Sequence, residues 1–513
     1  MNRRDFLQYT IATAAGLSLW DRLSFASELE AAALSSANRL LINVLLEGGP
    51  DFLHLIVPKP SATTTDYGYK YWNNRTRTTA RGTSKANFTS WNSAYTNDYE
   101  EITQDGQTFG VLKGDRAGNK SYNGWLISQI KARKVAIICN VRHSTSRDHA
   151  NSQMIVQSGL YGSSPLQTSN AGWGGLMMNQ GTLAGKRLLS MSNPMRPFCN
   201  SNGTNKAVSF TDSRNFGLTR SADLGTTEPT WDNRFRRLRA MKTYLSERNS
   251  TSPFTGAANN TLNNKFTAQY GKLNSLTDAV KNTLNSTTNP QSAEILSLYP
   301  AGSDGAAGTG ALISNRGFGR QVANLYDALQ VPSLNMAIAS LAYGGWDSHK
   351  NQKADVETQF DDLFGTNRAF DTLFKQTGGS SVFNNSTLMF YGEFGRQLQD
   401  NGDGGTDHGT GNFVFLIGGQ VAGGIYGTMF PDKDKNNFDF GGRDISADIT
   451  KKHSVTNALI TANEFTGFDP LFNKVASWLN GSTIGLGLNT ADANVNAQDT
   501  TGGLTNFTNL LPT

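Results

Sequence analysis

Cysteine is nearly absent: the chain has two, Cys139 and Cys199, in 513 residues and no Cys-x-x-Cys spacing, which excludes thiolate-bound zinc and dithiol redox chemistry. The two could pair in an oxidising periplasm, although sequence alone does not establish that they meet. Histidine is scarce too, with six. No apolar run is long enough to span a bilayer, which argues against an integral membrane segment in the mature chain. Basic and acidic residues are interspersed at a net charge of +5, without a Lys/Arg run, so nucleic-acid binding has little support. Haem, flavin and iron–sulfur motifs do not occur. What is present, 37% hydrophobic and 10% aromatic residues, suffices for a real core, and the chain reads as globular.

The first residues, Arg3-Arg4-Asp5-Phe6-Leu7, precede a modest apolar stretch from Tyr9 to Trp20 and a small-residue exit at Ser24-Phe25-Ala26. This pattern predicts a twin-arginine signal over 1–26, a mature chain from about Ser27, and export to the periplasm or beyond by that machinery. A chain exported already folded can take up its metal before it meets competing ions outside.

Short runs rich in Val, Ile and Leu end in glycine or polar clusters, as buried parallel strands do: Leu40 to Leu46, Val135 to Cys139, Leu334 to Leu341, Leu388 to Tyr391 and Phe413 to Ile417. Helical spacing places Val322, Leu325, Tyr326 and Leu329 on one face, and Val356, Phe360 and Leu363 on another. The expectation is an α/β fold, a mostly parallel central sheet sandwiched by helices, over 27–513. Polar insertions are expected at about 61–120 and 200–310, the second with helices near 234–244 and 266–284. Surface decoration is the plain reading of both, and a lid over the strand tips is the other. The tail beyond Ile484 reads as extended or loosely packed. Glycine pairs at 48–49, 404–405 and 418–419 match no phosphate-loop spacing and read as tight turns.

Most of the histidines sit near a carboxylate at a predicted strand end: His54 after Asp51, His149 after Asp148, His349 after Asp347 and His408 after Asp407, with His143 just upstream of the second pair. For any one pair, a loop histidine bonded to its neighbour is the plain reading. Several pairs on separate strand tips point instead to a metal, since each offers a hard oxygen and a borderline nitrogen. Open α/β sheets gather ligands at the carboxyl ends of their strands.

Five segments carry a resemblance: the Arg-Arg-x-Phe-Leu leader, Glu47-Gly48-Gly49-Pro50-Asp51, Gly344-Gly345-Trp346-Asp347-Ser348-His349, Glu393-Phe394-Gly395-Arg396, and Gly405-Thr406-Asp407-His408-Gly409 with the glycines that follow. Together they resemble the exported family called domain of unknown function 1501, which is grouped with the alkaline phosphatase and sulfatase superfamily. The resemblance implies metals at the strand tips: Asp51 with Asp407 and His408 on one ion, and Asp347 and His349 on a second, with His453 as a further ligand or a surface residue. One or two divalent ions are implied, with zinc favoured over calcium or magnesium. Glu393 is a ligand or an outer acceptor, and His143 and His149 are outer or substrate-facing groups. Arg396 holds a substrate anion or pairs with an acid.

Superfamily nucleophiles sit at a helix start beside the metals, which singles out Ser146 and Thr145, with Arg147 to neutralise developing charge. Helix capping by Ser144 to Ser146 is the alternative. The implied activity is metal-dependent hydrolysis of a phosphate or sulfate ester, on a small-molecule or glycan substrate. The alternative is a non-catalytic secreted protein that binds glycan through Tyr67, Tyr69, Tyr71 and Trp72.

Overall fold

The computed structural model describes residues 39–75, 87–114, 121–142, 147–161, 171–201, 207–215, 276–285, 287–302, 307–378, 380–409, 411–427, 429–430, 466–490, 507 and 509–512. The leader, His143, Thr145, Ser146, His453 and the expected helix near 234–244 lie outside them.

In chain order the strands are β1 (Leu40–Glu47), β2 (Ile56–Pro58), β3 (Tyr99–Gln104), β4 (Gln107–Leu112), β5 (Val135–Arg142), β6 (Arg187–Ser190), β7 (Val208–Ser209), β8 (Met336–Gly344), β9 (Ser386–Gly392), β10 (Arg396–Asp400), β11 (Thr406–His408), β12 (Asn412–Ile417), β13 (Gly424–Tyr426) and β14 (Thr466–Gly467). A nine-stranded sheet runs β13-β5-β12-β9-β1-β8-β6-β7, with β14 also on β5. β1 is central: Leu41 pairs in parallel with Ile338 on one side and Thr387 on the other. The sheet is mostly parallel, as expected. β12 is the exception, antiparallel to both β5 and β9. Its apolar run is buried whichever way it points, so direction could not be read from composition.

Alternation along β1 sends Ile42, Val44 and Leu46 to one face and Leu41 and Leu45 to the other. The helices that matter here are α1 (Phe52–Leu55), α2 (Tyr67–Asn74), α3 (Phe88–Asp98), α4 (Gly124–Lys131), α5 (His149–Ser158), α6 (Trp173–Met178), α7 (Arg316–Leu329), α8 (Gln352–Phe364), α9 (Ala369–Gln376) and α10 (Phe468–Asn480). On the first face α7 buries Val322, Leu325 and Tyr326, with Leu329 partly packed, and α8 buries Val356, Phe360 and Leu363. On the second face Trp173 of α6 stacks on Phe472 of α10, ring centroids 4.2 Å apart. Each large apolar side chain so buried contributes about 1.5–3 kcal/mol. Among the described residues no helix is long and apolar enough to cross a membrane.

Three expectations need correction. The described residues of 61–120 are not surface decoration: α2, α3 and the antiparallel sheet β2-β4-β3 bury Tyr67, Tyr71, Trp72, Trp91, Tyr95 and Tyr99 in the main core. Tyr67, Tyr71 and Trp72 are therefore not available to stack on sugars, and Tyr69 packs edge-on against Trp91. The end of the tail is packed rather than loose, because Phe507, Leu510 and Leu511 complete the second core. Cys139 and Cys199 are buried free thiols, one in each core, so no disulfide links them. Burial pushes the Cys199 thiol up to about 12, which keeps it unreactive at neutral pH.

Candidate metal centre

The tips of β9, β1 and β8 are tied together by backbone. Gly48 has φ +119, and a Cβ there would lie 2.3 Å from the Asp347 nitrogen, so only glycine lets the loops after β1 and β8 touch. Its N–H donates to Glu393 Oε1 at 2.7 Å, and Glu393, just after β9, is fully buried. Beyond β5, Asp148 caps α5 by accepting from the Asn151 N–H at 2.9 Å, which turns His149 over the strand tips. The capping role considered for Ser144 to Ser146 thus belongs to Asp148. The β10–β11 hairpin brings Asp407 and His408 in from the opposite side.

His149, Asp347 and His408 converge, their ligand-type atoms all within 4.8 Å of one another. His149 Nε2 lies 3.3 Å from Asp347 Oδ2, and His408 Nε2 lies 3.0 Å from Asp347 Oδ1. His349 stands beside them, its Nε2 3.0 Å from both His408 Nε2 and Asp347 Oδ1. Each ring is held from behind: His149 Nδ1 meets Glu393 Oε1 at 2.9 Å, His349 Nδ1 meets Asp407 Oδ1 at 3.3 Å, and His408 Nδ1 meets the Arg147 carbonyl at 3.0 Å. Carbonyls and ionised carboxylates only accept, so these Nδ1 atoms carry protons and direct the Nε2 positions inward.

The three groups respond differently to their surroundings. The hydrogen bond to Glu393 raises His149, against the opposing effect of burial. Burial lowers His408 and keeps it neutral. Burial alone would raise Asp347, but Arg396 and His408 beside it hold its carboxyl well below the usual range. A neutral His408 with its proton on Nδ1 then presents a lone pair to an ionised carboxylate, and His149 Nε2 is buried without a hydrogen-bond partner. Two facing acceptors repel unless a cation lies between them. Tetrahedral zinc with ligand distances of about 2.0–2.1 Å has ligand–ligand edges of about 3.3–3.4 Å, near the 3.0 and 3.3 Å separations here. The residues fit a divalent cation.

Asp347, His349 and His408, assigned to two ions, meet at one centre, and His149 joins as an inward-facing ring rather than an outer group. Asp407 faces His349 rather than the converging atoms. Asp51 is not in the group: its Oδ2 is taken by the buried guanidinium of Arg75 and by the Gln352 amide. His54 turns away to Glu357, 3.0 Å from its Nε2. Glu393 Oε1 accepts from the Gly48 N–H and meets His149 Nδ1. Arg396 is fully buried: Nε donates to the Gly49 carbonyl, Nη2 to the Gly48 and Trp346 carbonyls and Asp347 Oδ1, and Nη1 to the Thr406 carbonyl with His349 Nε2 at 3.4 Å, which leaves it no donor for a substrate. Arg147 is half-buried, with one terminal nitrogen 3.2 Å from the His408 carbonyl. Arg75 and Gln352 were missed. The signal for Arg75 was spacing, since Tyr67, Tyr71 and Arg75 fall four apart on one buried stripe.

A mostly parallel α/β sheet with a histidine–carboxylate cluster at its strand tips defines the class of this protein. The chain belongs to the family described as "Protein of unknown function (DUF1501)", whose model matches residues 38–464. Comparison with curated proteins gives no match. Among solved structures, a chain described under the metabolism of multiple glycosaminoglycans by Bacteroides thetaiotaomicron, labelled 4S-sulf, is 10% identical with a TM-score of 0.30; the match covers 85% of this chain and 76% of that one.

Proposed function

We propose that the protein is an exported, metal-dependent hydrolase of phosphate or sulfate esters. The observation that carries this reading is the convergence of His149, Asp347 and His408 at the carboxyl ends of the strands. These three would hold one divalent cation, which when bound would supply Lewis-acid polarisation of an ester oxygen. Two imidazoles and one carboxylate favour zinc; calcium requires six or more oxygens and magnesium an octahedral oxygen set.

The remaining steps belong to the chain's own groups. His349, half-exposed beside the cluster and oriented by Asp407 at 3.3 Å, holds the proton exchanged with the leaving group at Nε2. Arg147 binds the anionic ester; Ser146 or Thr145, next to it in sequence, is the proposed nucleophile, displacing the alcohol as His349 protonates it, and water then cleaves the resulting enzyme ester. Arg396 keeps Asp347 ionised and in place. The Arg3-Arg4 leader supports export by the twin-arginine route to the periplasm or outside the cell, with an ester of a small molecule or a glycan as the substrate met there.

The test is turnover of aryl phosphate and aryl sulfate esters by purified protein reconstituted with zinc, manganese, magnesium or calcium. Metal-dependent release of the phenol is expected with one ester class. A protein that binds metal yet turns over neither class is not this enzyme.

A further inference from the structure

Asp51 follows the central strand β1, close to the cluster, yet its carboxylate answers to an internal cation. Arg75, at the end of α2 and fully buried, places one terminal nitrogen on Asp51 Oδ2. Its Nε donates to the Leu398 carbonyl at 2.9 Å and its other terminal nitrogen to the Gln397 carbonyl at 2.7 Å. Both carbonyls belong to β10, the first strand of the hairpin that carries His408. The Gln352 amide donates to the same Asp51 oxygen, while its carbonyl accepts from Thr406 Oγ1 at 2.8 Å. Thr406 opens β11, and its own carbonyl accepts from Arg396 at 3.0 Å. One buried carboxylate, one buried guanidinium and one amide thus fix both strands of the hairpin from below.

A second cation on Asp51 Oδ2 would have to displace a fixed guanidinium that makes three directed contacts at once, while Asp51 Oδ1 is buried without a hydrogen-bond partner. Arg75 carries its charge at every accessible pH and is planar, so it fits this two-carbonyl, one-carboxylate cradle as a lysine would not. We propose that Arg75 takes the place of a second metal ion: it neutralises Asp51, leaves the centre with one cation, and makes α2 the strut that positions His408. The proposal rests on the metal reading above, and Arg75 is a positioning residue that touches neither cation nor substrate.

Elemental analysis and zinc calorimetry on the full chain test it. The wild type is expected to bind one zinc per chain, and Asp51→Asn to keep that ion. Arg75→Gln should weaken binding at least 10-fold, with Arg75→Lys in between, because a lysine restores the charge but not the cradle. Where a variant does not fold by circular dichroism, the wild-type stoichiometry decides alone. Two tightly bound ions in the wild type, or loss of the ion in Asp51→Asn, overturns the proposal while leaving the metal reading intact. No bound ion at all overturns both, and one bound ion without ester turnover removes only the hydrolase.

Discussion

At the scale of single residues, neighbours in sequence do different work. Asp148 and His149 are adjacent, but the carboxylate caps α5 while the ring faces the cluster. Asp407 and His408 are adjacent, but Asp407 orients His349 while His408 faces Asp347. The two aspartates should therefore separate experimentally. Asp347→Asn removes the one carboxylate of the converging set, and zinc affinity is expected to fall by about 100-fold or more, with loss of the melting-temperature increase that zinc gives the wild type. Asp407→Asn should keep the ion and lower turnover about 10–100-fold through a misoriented His349. Calorimetry beside a steady-state assay distinguishes them; an Asp407→Asn protein that sheds its zinc would return Asp407 to the ligand set.

At the scale of elements, the centre depends on how helices and loops are capped. Asp148→Ala leaves the α5 N-terminus without its side-chain acceptor, and a loss of about 1 kcal/mol in urea unfolding is expected, with a weaker zinc site as the accompanying sign that His149 has shifted. A second expectation concerns α8, whose Asp361 and Asp362 are both raised above the ordinary carboxylate value, mainly by burial. A folded-state value above the unfolded one means the folded state holds the proton more tightly. Their ionisation therefore costs stability at neutral pH, and the cost is relieved as pH falls through the folded values towards the unfolded value near 3.8. Asp361→Asn cannot gain in this way, so the wild type should gain stability on that variant as pH is lowered from 7 to about 4. Urea titrations of both proteins across that range check the sign.

At the scale of the whole molecule, the fold was legible because its strands are continuous apolar runs. Leu40 to Leu46, Val135 to Cys139 and Leu388 to Tyr391 all became buried strands, each longer than read because polar or glycine ends still pair. The direction of β12 was not legible, since burial on both faces leaves no directional mark. The site was half legible. Residue types and strand ends pointed to Asp347, His349 and His408, but the pairing of Asp51 with Arg75 joins two segments whose contact no local pattern announces. The aromatic stretch from Tyr67 to Trp72 misled for the same reason, because amphipathic burial and sugar stacking draw on the same residues. Cys139 and Cys199 lie in cores on opposite faces of the sheet, which forbids a bond between them in any compartment. Two free thiols are expected to titrate in denaturant without reductant, and dithiothreitol should leave the melting temperature unchanged; one shifted melt would restore the disulfide.

The place of β1 in the sheet has a consequence for the order of synthesis. Leu41 must lie between Ile338 and Thr387, so β1 waits for partners made roughly three hundred residues later. Until then Leu40–Glu47 is an apolar strand with both edges bare, the kind of segment that pairs with other chains when left exposed. The same wait delays the centre, because Gly48 cannot reach Asp347 or Glu393 before both flanking strands have docked. His149, Asp347 and His408 thus cannot converge until β8 and β11 have been made and docked, long after β1.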